Sequence, residues 1–193
     1  MQFLPNLFSV SRLVGGVLVV WFAINQWHWA AWLVVCYSCL SDFLDGFFAR
    51  RYQQVSRLGS ILDPVSDKGF SGICLLYLWL YQDLPSLYFW AVAVRYVVQL
   101  SSIPVLAYVV PRYYKVKPNR IAKFGTLLIF VLLLVLFAFP LVGPAVVMQQ
   151  PDSILVLGSW LLLVVSGLIE LYILATFLPR YWQILRGTAD CFE

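Results

Sequence analysis

Between residues 42 and 67 the chain reads DFLDGFFARRYQQVSRLGSILDPVSD. Asp42, Asp45, Asp63 and Asp67 are four of only nine acidic residues in the whole sequence. Asp42 and Asp45 are spaced i, i+3, and Asp63 and Asp67 i, i+4, so on helices each pair shares one face. A short link between two helices would bring the pairs together. Four carboxylates packed alone repel one another, and one or two divalent cations remove that conflict. All-oxygen ligation favours a hard ion, Mg²⁺ or Mn²⁺. Gly46 and Ala49 lie on or near the carboxylate face, and Gly59 sits one turn before Asp63, so a flat group can approach bare backbone. Arg50 carries a planar fork suited to phosphate. Carboxylates, metal, arginine and bare helix surface together point to a phosphate-ester or diphosphate substrate. The plainer reading, acids at a helix end facing water, fits poorly with the apolar sequence on both sides, where acids are costly and usually functional.

The elements that must hold these groups are membrane helices. Of 193 residues, 62% are hydrophobic and 11% charged, whereas a soluble domain is about half apolar and a quarter charged. The composition implies an all-α integral membrane protein of one domain, residues 1–193, with six transmembrane helices and a short N-terminal interfacial helix. Residues 5–12, PNLFSVSR, form the interfacial segment. The spans run from about Leu13 to Ile24, Ala30 to Arg51, Leu58 to Tyr81, Leu87 to Val110, Ile121 to Val142 and Ser153 to Leu178. Each approaches the ~20 residues that cross the hydrocarbon core. Pro104 is expected to kink the fourth span. His28, the only histidine, lies in an interfacial loop among Trp27 and Trp29. Histidine catalysis at the carboxylate site is thereby excluded. Cys36 and Cys39 form a C-x2-C inside an apolar helix with no second pair, so they, Cys74 and Cys191 read as small apolar fillers rather than zinc or redox groups.

Lys and Arg distribution sets the orientation. The loops after spans one, three and five contain neither residue, whereas those after spans two and four carry Arg50, Arg51, Arg57, Arg112, Lys115, Lys117 and Arg120. By the positive-inside rule both termini and the carboxylates are cytoplasmic, which fits a bacterial inner-membrane protein. Asp42 and Asp67 then sit roughly 13 Å below the cytoplasmic helix ends, in a cavity open to a lipid headgroup sideways and to a soluble partner from the cytoplasm.

The pattern D-x2-D-G-x2-A-R-x8-G-x3-D-x3-D, complete here in Asp42, Asp45, Gly46, Ala49, Arg50, Gly59, Asp63 and Asp67, resembles the signature of the CDP-alcohol phosphatidyltransferases. That resemblance implies transfer of a phosphatidyl group from CDP-diacylglycerol to an alcohol, with release of CMP, in phospholipid biosynthesis. It implies two metal ions held by the four Asp residues, and CDP-lipid contacts from Gly46, Arg50 and Ser56. Ala49 and Gly59 line the same approach. Asn6 and Ser9, the N-x2-[ST] opening, would also touch the CDP-lipid. Asp67 ends the motif, and both its position and the resemblance make it the base for the attacking alcohol. A homodimer is implied by the family alone.

The acceptor is a separate question. Arg95 stands inside span four with no acid near it in sequence, and reads either as an acceptor contact or as a partner of Glu170 in span six. Arg95, Arg120 and Lys123 are candidates for binding a phosphorylated acceptor such as glycerol 3-phosphate. Residues 6–12 together with Arg95 and the stretch Lys123-Phe124-Gly125-Thr126 are similar to phosphatidylglycerophosphate synthases and CMP-forming cardiolipin synthases. Two positions depart from those families: Tyr96 stands where an acid often follows the arginine, and Ile129 where Gln often closes K-x2-T-x2-Q. Phosphatidylglycerol, inositol phosphate, serine or choline as acceptor are the alternatives. A cation transporter and a purely structural membrane subunit are the other classes, and no nucleic-acid partner is expected. The transporter is disfavoured because the four acids cluster at one end and spans four to six supply few polar partners.

Overall fold

The computed structural model describes residues 3–52, 57–109, 120–142 and 154–185. Six helices build it: α1 (Phe3–Ile24), α2 (His28–Tyr52), α3 (Arg57–Tyr81), α4 (Ser86–Val109), α5 (Arg120–Val142) and α6 (Ile154–Leu185). No strand occurs among the described residues. The side chains of residues 3–10, 43–52, 57–63 and 102–109, with some at the ends of α5 and α6, lie outside the described set.

Three boundaries differ from the sequence expectation. The N-terminal interfacial segment is not a separate element: α1 runs unbroken from Phe3 to Ile24. Pro5 falls in its first turn, where the missing N–H has no helical partner to lose. α6 continues through Pro179 to Leu185 rather than stopping near Leu178. α4 runs as expected through Pro104, the position of the expected kink. His28 begins α2 instead of lying in the loop.

Tight reversals make consecutive helices antiparallel neighbours. After α1, Gln26 takes a left-handed φ of 60°. The Trp27 N–H reaches the Phe22 carbonyl at 2.8 Å and the Gln26 N–H the Ala23 carbonyl at 3.1 Å. These are the paired bonds of a Schellman C-cap, here with glutamine at the position glycine usually fills. After α3, Asp83 has a φ of 52°, and the Leu84 N–H bonds the Leu78 carbonyl at 3.3 Å.

α1 packs on α3 and α2, α2 on α5, α3 also on α4 and α5, and α6 on α4 and α5. The core between them holds Val19, Val35, Phe70, Leu75, Val92 and Leu132, all essentially inaccessible. Phe70 stacks on Phe130 with ring centres 5.9 Å apart, tying α3 to α5. At the α1–α3 crossing a Cβ on Gly69 would lie 2.5 Å from Leu13 Cδ2, so glycine at this position lets the two helices approach closely.

Every helix also presents large hydrophobic residues to the outside. Val17, Leu40, Leu80, Val97, Leu127 and Leu161, one from each helix, are large hydrophobic residues facing outward. A bundle apolar on both sides belongs in lipid. Lys123–Leu141 and Val156–Pro179 are each long and apolar enough to cross a membrane, and Ser11–Ile24 is a shorter apolar segment. The protein is an all-helical membrane protein.

Candidate active site

The α1–α3 approach decides what happens at the carboxylates. It brings Arg12, four residues before Gly16 on α1, between α2 and α3. Arg12 is 1% exposed, and its Nη1 donates to Asp42 Oδ1 at 3.1 Å and also to Asp67 Oδ1. Oxygens from two helices thus converge on a single nitrogen. Asp42 remains 44% exposed and Asp67 19%, so the pair is open on one side.

That convergence tests the fit to metal. A divalent cation shared between α2 and α3 needs carboxylate oxygens aimed at one point, and Asp42 and Asp67 meet that need, with the guanidinium standing where positive charge belongs. Asp45 and Asp63 extend the same helix faces one turn toward the 53–56 link, by backbone position alone. Their side chains, and those of Asn6, Ser9, Ala49, Arg50 and Arg120, lie outside the described set, as do the surroundings of Gly46 and Gly59. Ser56, Arg112, Lys115, Lys117 and Cys191 lie outside the described residues altogether. Asp42 and Asp67 each stand about ten residues from the end of their helix nearest that link, a depth of roughly 15 Å.

A hydrogen-bond relay leads away from Asp67 into the bundle. The Ser71 hydroxyl donates to the Asp67 carbonyl at 2.7 Å, which leaves its oxygen to accept from the Tyr96 hydroxyl at 2.8 Å. Tyr96 follows Arg95, whose Nε lies 2.6 Å from Glu170 Oε2 on α6. The structure therefore realises the Arg95–Glu170 pairing, although the two residues sit on helices four and six. Lys68, half-buried beside Asp67, is one turn before Ser71 on α3 and within electrostatic reach of Arg95. Lys123 is exposed on α5. Ile129 is fully buried in the apolar core, where it packs rather than presenting a polar group.

Arg12 and Lys68 escaped the sequence reading. Arg12 belongs in sequence only to the interfacial segment and the family-like stretch 6–12, with no role at the carboxylates, yet it lies one turn after Ser9, on the helix that opens the site. Lys68 directly follows the last motif acid. A lysine so placed inside an apolar helix is itself a signal. The free cysteines Cys36, Cys39 and Cys74 sit within α2 and α3 as fillers. A crevice lined by Ala23, His28, Tyr77 and Pro140 lies at the end of the bundle opposite the carboxylates.

Residues 2–169 match the family of CDP-alcohol phosphatidyltransferases. A CDP-diacylglycerol–glycerol-3-phosphate 3-phosphatidyltransferase of Aquifex aeolicus is 34% identical over 132 residues, covering 67% of this chain and 72% of that protein. The Escherichia coli K12 protein of the same name is 38% identical over 80 residues, 39% of this chain and 44% of its own length. A CMP-forming cardiolipin synthase of Streptomyces coelicolor is 41% identical over 71 residues, 34% of this chain and 33% of the relative.

Proposed function

Because the chain belongs to the CDP-alcohol phosphatidyltransferase family, we propose that it transfers the phosphatidyl group of CDP-diacylglycerol to glycerol 3-phosphate, releasing CMP. The observation that carries this reading is the convergence of Asp42 and Asp67 on one cation inside an apolar bundle. The acceptor follows from the relatives named for glycerol 3-phosphate and from Arg95, which is buried more deeply than the carboxylates.

In this reading the acceptor hydroxyl oxygen attacks the phosphorus that bears the diacylglycerol. The P–O bond to CMP breaks, CMP keeps the electron pair, and the hydroxyl proton passes to Asp67. Mg²⁺ or Mn²⁺, as two ions held by Asp42, Asp45, Asp63 and Asp67, would neutralise the diphosphate and the leaving CMP. Arg12 draws the Asp42 and Asp67 carboxylates together across α2 and α3. Arg50 grips the diphosphate, and Asn6, Ser9 and Ser56 position the CDP-lipid above the bare surface of Gly46, Ala49 and Gly59. Arg95, Arg120 and Lys123 take the acceptor phosphate. All six helices span a bacterial inner membrane, with the carboxylate end and both termini cytoplasmic, and the protein works as a homodimer.

The test is CMP release by the purified protein with CDP-diacylglycerol and Mg²⁺. CMP should form only when glycerol 3-phosphate is added. Release with phosphatidylglycerol instead would make the protein a cardiolipin synthase. The absence of CMP with either acceptor, or with inositol phosphate, serine or choline, would overturn the transferase reading.

A further inference from the structure

Deep in the bundle, Arg95 is 1% exposed and Glu170 is fully buried. Their Nε–Oε2 separation is 2.6 Å. The contact is an ion pair rather than an aligned hydrogen bond: Arg95 Nε and Nη2 and both Glu170 carboxylate oxygens have no hydrogen-bond partner among the described residues. The surrounding helices are tied in place by polar side chains. Tyr96 bonds Ser71 across to α3, and the Tyr88 hydroxyl lies 2.9 Å from Ser166 Oγ across to α6, one turn before Glu170. α5 closes on the carboxylate from the other side. A Cβ on Gly125 would stand 3.3 Å from Glu170 Oε1 and 2.6 Å from Ile173 Cδ1, so a larger residue here would make the ends of those two side chains shift. The guanidinium is thus held at one edge by an acid with little freedom of its own, while Nη2 is left over.

A buried ion pair is a poor device for stability alone, since desolvation offsets most of its attraction and apolar side chains of the same volume hold helices as well. Arg12 shows what an arginine in this bundle does with the motif acids: it goes to Asp42 and Asp67. The chain neighbour of Arg95, Tyr96, is linked through Ser71 to the Asp67 backbone carbonyl, and Lys68, next to Asp67, is within electrostatic reach of Arg95. Without an acid of its own, its nearest attraction would be the same carboxylates. We infer that Glu170 is a positioning residue for the acceptor: it holds the Arg95 guanidinium away from Asp67 and leaves its Nη2 edge for the phosphate of the acceptor alcohol. The inference rests on the glycerol 3-phosphate reading and adds to it a residue from the last helix, outside the carboxylate motif.

The experiment measures both Michaelis constants in the CMP-release assay, in the full-length protein. Glu170→Gln should raise the glycerol 3-phosphate KM by about 10-fold or more, the loss expected for one charge-assisted contact. The CDP-diacylglycerol KM should stay within about 2-fold, since that substrate meets α1 to α3. Glu170→Asp keeps the charge but draws it back by one methylene, so its acceptor KM should fall between parent and Gln. Arg95→Gln/Glu170→Gln should be no worse for the acceptor than Arg95→Gln alone, because both act through one guanidinium. Equal changes in both constants, an unchanged acceptor KM, or additive losses in the double variant would each make the pair a packing element and overturn the inference. Where Glu170→Gln does not accumulate in membranes, Glu170→Asp decides by the same two constants. If the parent itself releases no CMP with glycerol 3-phosphate, the proposed acceptor fails, and this inference with it. If the parent does release CMP and the Glu170 variants match it, the inference alone fails.

Discussion

Arg12, Asp42 and Asp67 form the smallest unit in which sequence becomes chemistry. Each acid comes from a different helix, and their charges are tolerable side by side only because a cation sits between them. An arginine can hold that place in the bundle, and the same oxygens suit a hard divalent ion. Asp67 carries the larger load, since in the proposed reaction it also accepts the hydroxyl proton. Asp67→Asn should therefore lower CMP release by about 10²–10⁴-fold, while the purified protein keeps its oligomeric size and its helical circular dichroism. Asn retains the shape and an oxygen for Arg12, and Asp42 still supplies that arginine with charge. Turnover near the parent's would remove Asp67 from the proton transfer.

At the scale of the helix, the site depends on how closely α1 crosses α3. Gly69 faces Leu13 there, and Leu13 is the next residue after Arg12. A larger side chain at 69 pushes α1 outward and carries Arg12 with it. Gly69→Leu should cost about 1–3 kcal/mol through overpacking and depress CMP release beyond what the lost stability explains. Adding Leu13→Ala returns the volume and should recover a large part of both, as measured by thermal unfolding in detergent and by turnover. A double variant no better than Gly69→Leu alone would mean that the crossing is not what seats Arg12. The α5–α6 contact at Gly125 is a second crossing of this kind, set against Glu170 instead of a motif acid.

At the scale of the whole molecule, the apolar outer surface and the separation of charge along the bundle place it in a bilayer. The helix ends at Tyr52, Arg57, Val109 and Arg120 belong to the carboxylate end, and the turns at 25–27 and 82–85 to the opposite one. In a background lacking the native cysteines, Gln82→Cys should react with a membrane-impermeant maleimide in intact spheroplasts, and Gln54→Cys only after permeabilisation. The reverse labelling would place the carboxylates on the outer face, away from any cytoplasmic acceptor.

Much of this was legible in the sequence because it is local. The i, i+3 and i, i+4 spacings of the aspartates survive any arrangement of the helices, so they fix which acids share a face. The lengths of the apolar runs state the number of helices in the same way, with ends that proline shifts: Pro5 opens α1 early and Pro179 fails to close α6. Helical periodicity says which residues share a face, but not which foreign helix that face meets. Arg12 was therefore visible as a charge and invisible as the partner of Asp42 and Asp67, thirty and fifty-five positions away. Arg95 posed the same problem. Its sequence neighbours offer no acid, and two assignments stayed open until packing of α4 on α6, held by Tyr88 and Ser166 and allowed by Gly125, put Glu170 against it. In a membrane an ion pair between distant helices is decided by close packing of small residues, because lipid already satisfies the apolar surface and the hydrophobic pattern no longer distinguishes inside from outside.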